Sequence, residues 1–101
     1  MITCDFAILP VGTETSECKD YVTAAVQAIK DSGLNYQLTG MGTQIEAENL
    51  AELYKAIADA QEAVFEAGVG RVYTVIKVDD RRDAKNRTLD AKVETVKKML
   101  K

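Results

Sequence analysis

A chain of 101 residues fits one domain with a single modest core, and 47% hydrophobic residues with one proline among them exclude a disordered polypeptide. The net charge of −3 is unevenly spread, since residues 1–78 hold five basic and eleven acidic side chains and residues 79–101 hold eight basic and five acidic. An acidic body repels polyphosphates, and no apolar run reaches the ~20 residues of a membrane span.

The N-terminal stretch MITCDFAILP has neither a basic start nor a small-residue cleavage site, so no signal peptide is expected and a cytoplasmic location is the default. Ile2, Cys4, Phe6 and Ile8 alternate with Thr3, Asp5 and Ala7, the period-two pattern of a strand that ends at Pro10 and Gly12. Ser16 serves as N-cap, Glu17 sits in the first turn, and Val22, Ala25, Val26 and Ile29 recur at helical spacing until Gly33. Cys4 on the strand and Cys18 on that helix lie too far apart to pair, so both read as reduced, buried thiols.

From Leu34 the period returns to two. Tyr36 and Leu38 share one face, TGMG supplies a turn, and Thr43, Ile45 and Ala47 share a face on the returning strand. Asn49 with Glu52 resembles a capping box, and Leu50, Leu53, Ile57, Ala60 and Val64 form the stripe of a second helix that stops at Gly68. RVYTVIKV is a strand apolar on both faces, which implies cover on both. DDRRDAKNR is a polar linker, and Leu89, Val93, Val96 and Leu100 make a narrow seam on a third helix.

This order predicts an α+β, ferredoxin-like βαββαβ domain over 1–101: a four-stranded antiparallel sheet, two helices on one face, and a C-terminal helical extension over 83–101. The two long strands, 2–10 and 71–79, are expected side by side in the centre. Ala7, Leu9, Tyr73 and Val75 would then lie on the face without helices and favour sheet-to-sheet association, so a homo-oligomer, dimer or tetramer, is expected.

No histidine is present, which rules out Ser-His-Asp and Cys-His relays and removes the commonest transition-metal ligand. The glycines match neither a P-loop nor a dinucleotide fingerprint. RVYTVIKV lacks the glycine and repeated aromatics of an RNA-stacking strand, so no nucleic-acid partner is expected, and neither is a membrane partner. Asp79, Asp80 and Asp83 are interleaved with Arg81 and Arg82, which reads as a salt-bridged turn and not as a metal site. Two polar groups remain. Thr13, Thr15 and Ser16 present hydroxyls at a helix start, and Asn35, Gln37, Thr43 and Glu46 present donors and acceptors around Gly40 and Gly42.

The segments AILPVGT with the following S and YV, then SGLNYQLTGMGTQIE, then RVYTVIKVDDRRD, resemble the thiamine-binding, YkoF-like proteins. The run SGL-x-Y-x-L-x-x-MGT-x-IE is the specific part. The resemblance implies a ferredoxin-like domain that assembles through sheet contacts and binds thiamine or its hydroxymethylpyrimidine half, with no catalytic residues, no metal and no cofactor. Asn35 and Thr43 would hydrogen-bond the aminopyrimidine, Glu46 and Tyr36 would favour the thiazolium cation, Thr13 and Ser16 would close another side, and Met41 would give a soft apolar wall. Thr43 and Glu46 have opposite strand parity, so both line one pocket only through a bulge or a rim position.

The leading expectation is therefore a non-enzymatic binder acting as carrier, buffer or sensor of a small molecule. The alternative is an oligomeric regulatory or structural module that senses another metabolite or docks on a partner protein. A cofactor-independent enzyme would have to draw its acid and base from Glu46, Asp5 and Tyr36.

Overall fold

The computed structural model describes residues 1–12, 19–84 and 86–101. Thr13, Thr15, Ser16, Glu17 and Cys18 lie outside the described residues, and so do the cap, first-turn and ligand roles expected of them. Four strands and three helices follow the expected order: β1 Ile2–Pro10, α1 Lys19–Asp31, β2 Tyr36–Thr39, β3 Gly42–Ala47, α2 Leu50–Glu66, β4 Val72–Asp80 and α3 Leu89–Met99. The strands form one antiparallel sheet in the order β2-β3-β1-β4.

Strand alternation decides what is inside. Ile2, Cys4 and Phe6 of β1 pair with Ala47, Ile45 and Thr43 of β3, which puts these six on one face with Ile8, and all seven are buried. Against this face pack Ala25 and Ile29 of α1 and Leu53, Ile57, Ala60 and Val64 of α2. The helices stop and start where their chemistry dictates. Gly33 ends α1 at φ 82°, a left-handed conformation that L side chains rarely adopt. Asn49 caps α2 by accepting the Glu52 N–H at 2.9 Å. Among the described residues no helix is long and apolar enough to cross a membrane.

One expectation is corrected. The long strands β1 and β4 are neighbours, but β4 lies at the sheet edge and the central pair is β3 and β1. The hairpin explains this: β3 takes the remaining side of β1 and carries β2 outward with it. On the face away from α1 and α2, Tyr73 and Val75 are 57% and 49% exposed beside Leu9 at 53%, because neither helix packs on that face. The other end of that face, around Thr3 and Asp79, is where α3 sits.

Candidate functional site

The TGMG turn joins Thr39 and Gly42, which pair across β2 and β3. The Thr39 hydroxyl donates to the Gly42 carbonyl at 2.9 Å and accepts from the N–H groups of Met41 and Gly42 at 3.3 and 3.2 Å. A side chain thus closes a turn that two-residue hairpins often close with left-handed glycine. Gly42 is needed for a different reason: a Cβ there would stand 2.8 Å from the Phe6 carbonyl oxygen. The turn is therefore pressed directly onto β1.

Behind the turn is a cavity of about 170 Å³ between the hairpin, the second half of β1 and α1. Phe6 and Ala25 form its floor, Val26 and Leu38 its flank, and Thr43 and Met41 its hairpin wall. Thr43 is buried, whereas Met41 stands at the rim with 91% of its surface exposed. A second hollow of about 280 Å³ shares Val22, Val26 and Leu38 with the first and runs on to Tyr36 and Lys30. Three of the expected site residues, Thr43, Met41 and Tyr36, thus line one trough along the outer side of α1.

Asn35 and Glu46 lie elsewhere. The β1–β3 and β2–β3 ladders run in unbroken register, with no bulge to change parity, so Glu46 faces away from α1 and α2. Its N–H donates to the Asn35 carbonyl at 2.9 Å, and both residues border a separate shallow hollow of about 160 Å³. The wall expected to unite Thr43, Glu46 and Asn35 is therefore not formed; the sheet passes between them.

Glu46 has a structural task there. Its Oε1 accepts the Leu89 N–H at 2.8 Å, an orphan donor in the first turn of α3, where the helix dipole favours a negative group. Thr88 caps the same end by accepting the Ala91 N–H at 3.0 Å, and Gln37 donates to Asp90 at 2.7 Å. Glu46→Ala is expected to cost about 1 kcal/mol and to loosen α3. Faster hydrogen exchange at the α3 amides, with β1 and β3 unchanged, is the readout.

Farther along α3, the Lys92 ammonium donates to the Thr3 hydroxyl and, at 2.7 Å, to Asp79. That hydrogen bond holds the Asp79 carboxyl below the usual carboxylate range. A carboxyl depressed on folding stabilises above its unfolded pKa, and the contribution is lost as pH falls through the folded value. Acidification below the ordinary aspartate range is thus expected to free α3 before the core melts. Helicity lost ahead of near-ultraviolet tyrosine signal, in an acid titration by circular dichroism, would register this.

Two further ion pairs of this region are local. Arg82 binds Asp80 at 2.8 Å and Arg81 binds Asp83 at 2.8 Å, the expected salt-bridged turn. Cys4 is a buried free thiol, and burial, reinforced by the Asp5 charge, pushes it up to about 11, so it is inert as a nucleophile at neutral pH.

Residues 4–97 match the sequence profile of the family described as thiamine-binding protein. The chain belongs to the thiamine-binding protein family. A UPF0045 protein of Methanothermobacter thermautotrophicus is 49% identical over 99% of this chain and 100% of its own length. The UPF0045 protein YqgV of Bacillus subtilis is 45% identical over 99% and 98%. Among solved structures, a hypothetical protein of Methanocaldococcus jannaschii superposes with a TM-score of 0.85 at 29% identity, covering 95% of each chain. A Thermotoga maritima protein, described as a proposed thiamine biosynthesis or salvage protein, shares the fold with a TM-score of 0.79 at 17% identity, covering 94% and 97%.

In this member of the thiamine-binding family, sequence reasoning found the hairpin but missed most of the trough. Leu38 shares its face with Tyr36, a parity visible in the sequence. Thr39 immediately before Gly-x-Gly is the signature of a side-chain-closed turn. Phe6 and Val26 carried no signal beyond ordinary core periodicity.

Proposed function

We propose that this protein binds thiamine, or its hydroxymethylpyrimidine moiety, without transforming it, as a carrier, buffer or sensor. The observation that carries the reading is the cavity behind the Gly40–Met41 turn in a chain of the thiamine-binding family. At about 170 Å³ it is smaller than the ~300 Å³ and upward typical of drug-sized ligands, so it suits one substituted ring. The aminopyrimidine enters against Phe6 and Val26 and meets the Thr43 hydroxyl. The remainder of the molecule follows Leu38 toward Tyr36, whose ring face favours a fixed cation.

Binding without catalysis is supported by how the acid and base candidates are placed. Glu46 is engaged by α3, Asp5 lies on the far face of the sheet, and Tyr36 lies on the near one. In this reading Asn35 and Glu46 shape the hairpin and hold α3, and they do not touch ligand. The exposed row of Leu9, Tyr73 and Val75, with Val93, Val96 and Leu100 exposed on α3, supports a homo-oligomer closed through the sheet face.

Isothermal titration tests the site. Thiamine and hydroxymethylpyrimidine are each expected to give saturable heat, and Thr43→Val is expected to weaken binding about tenfold, the equivalent of ~1.4 kcal/mol for a lost hydrogen bond in a desolvated pocket. No heat from either compound at millimolar concentration, with folded protein, overturns the reading. Undiminished binding by Thr43→Val moves the ligand away from this cavity.

A further inference from the structure

The two edges of the sheet are unequal. β2 presents four residues at one edge, whereas β4 presents nine at the other. Long edge strands are usually blunted by proline, by several charges or by a bulge. The stretch VYTVIKV contains no proline and a single lysine, and its ladder to β1 runs without interruption.

The register fixes which backbone groups face outward, because alternate pairs of an antiparallel ladder exchange hydrogen bonds. The Val11 N–H donates to the Arg71 carbonyl at 2.9 Å and the Arg81 N–H to the Met1 carbonyl at 3.3 Å, two pairs that continue the β1–β4 register at its ends. Odd-numbered residues of β4 therefore bond β1, and Val72, Thr74, Ile76 and Val78 turn their N–H and C=O groups to the outer side. Among the described residues no backbone hydrogen bond engages those outward groups. Ile76 shows the consequence for side chains: it pairs with Phe6 on the helix-covered face, yet it is 39% exposed.

We propose that β4 pairs antiparallel with β4 of a second copy about a two-fold axis through Val75, joining two sheets into one. This register sets Val72 opposite Val78, Tyr73 opposite Lys77, Thr74 opposite Ile76 and Arg71 opposite Asp79, so valine meets valine, an ammonium meets an aromatic ring and a guanidinium meets a carboxylate. An axis one residue farther on, at Ile76, would set Val72 against Asp80 and Tyr73 against Asp79. The outward groups of Val72, Thr74, Ile76 and Val78 then complete a ladder, and the exposed flank of Ile76 is covered. A two-fold axis normal to the sheet keeps like faces together, so Leu9, Tyr73 and Val75 of both copies merge into one apolar strip. Edge pairing thus adds a second, perpendicular interface to closure through the sheet face without using the same surface, and it does not rest on the ligand reading.

Amide hydrogen exchange of the full chain, read residue by residue at a concentration where light scattering shows an oligomer, tests the pairing. The Val72, Thr74, Ile76 and Val78 amides are expected to exchange at least about tenfold more slowly than in dilute solution. Sheet-face contact alone covers side chains and leaves those edge amides in water. A cross-link checks the register, with Cys18→Ser in each variant. Val75→Cys is expected to form a disulfide-linked dimer, since directly opposed residues of a non-hydrogen-bonded pair lie ~4.5 Å apart at Cα. Tyr73→Cys is expected to form none, because Tyr73 of the second copy lies four residues along the strand, roughly 13 Å away. A chain that stays monomeric at millimolar concentration overturns the proposal, and so does Tyr73→Cys cross-linking as readily as Val75→Cys. An oligomer whose edge amides exchange freely also overturns it, while leaving closure through the sheet face standing.

Discussion

Phe6→Ala will lower stability by about 3–5 kcal/mol. Phe6 is 2% exposed and sits where β1, β3 and α1 meet, paired with Thr43 on one side and Ile76 on the other. Removing the ring takes away its burial and leaves a void that two flanking strands, each fixed by its ladder, cannot collapse to fill. Small domains have only about 5–15 kcal/mol of stability in total, so the loss is a large share. The expected fall in thermal midpoint is roughly 15–30 °C, read by calorimetry or circular dichroism. Since Phe6 also floors the trough, the proposed binding of thiamine predicts weaker ligand protection of this variant than of the parent chain. A shift below about 5 °C would mean that the core does not centre on this residue.

Gly42→Ala is expected to be the most damaging change in the hairpin, at about 1–3 kcal/mol. The added methyl meets the Phe6 carbonyl oxygen at 2.8 Å and the Ala7 Cβ at 3.6 Å, and the first contact is backbone that cannot step aside without disturbing the β1–β3 ladder. Gly40→Ala is the control. Nothing lies within 4 Å of a Cβ at Gly40, and the residue is not at positive φ, so its replacement should be neutral within about 0.5 kcal/mol. Urea denaturation of the two variants separates the contributions: equal midpoints would refute the close approach at Gly42. Both substitutions touch the TGMG turn, so their difference reports on packing and not on turn propensity.

The hairpin also marks how far residue patterns carry. The pair Tyr36 and Leu38, and the triad Thr43, Ile45 and Ala47, were assigned to faces by alternation alone, and the sheet keeps those faces. That alternation already set Thr43 against Glu46. The motif's continuity in sequence suggests one wall for both, and the unbroken ladder keeps them on opposite faces. Adjacency along a strand is thus a poor guide to adjacency in a site, because each step of one residue crosses the sheet.

α3 illustrates the complementary limit. Its apolar seam was legible, but Val93 and Val96 are about half exposed, and the helix is held instead by polar contacts of its first turns: Glu46 to Leu89, Lys92 to Thr3 and Asp79, Gln37 to Asp90. The partners are 43, 89, 13 and 53 residues apart. No local spacing announces such contacts.

By itself the sequence determined the order of elements, the buried faces of β1, β3 and α2, the absence of a histidine relay, and the family to which the chain belongs. Each of these depends on residue type and short-range period, which the backbone geometry of strand and helix converts directly into faces. Only the tertiary structure decided that β4 is an edge strand, that Glu46 serves α3, and that the cavity lies between the hairpin and α1. Those outcomes depend on which elements meet across long loops, and chain closure brings together groups whose chemistry is silent until they touch.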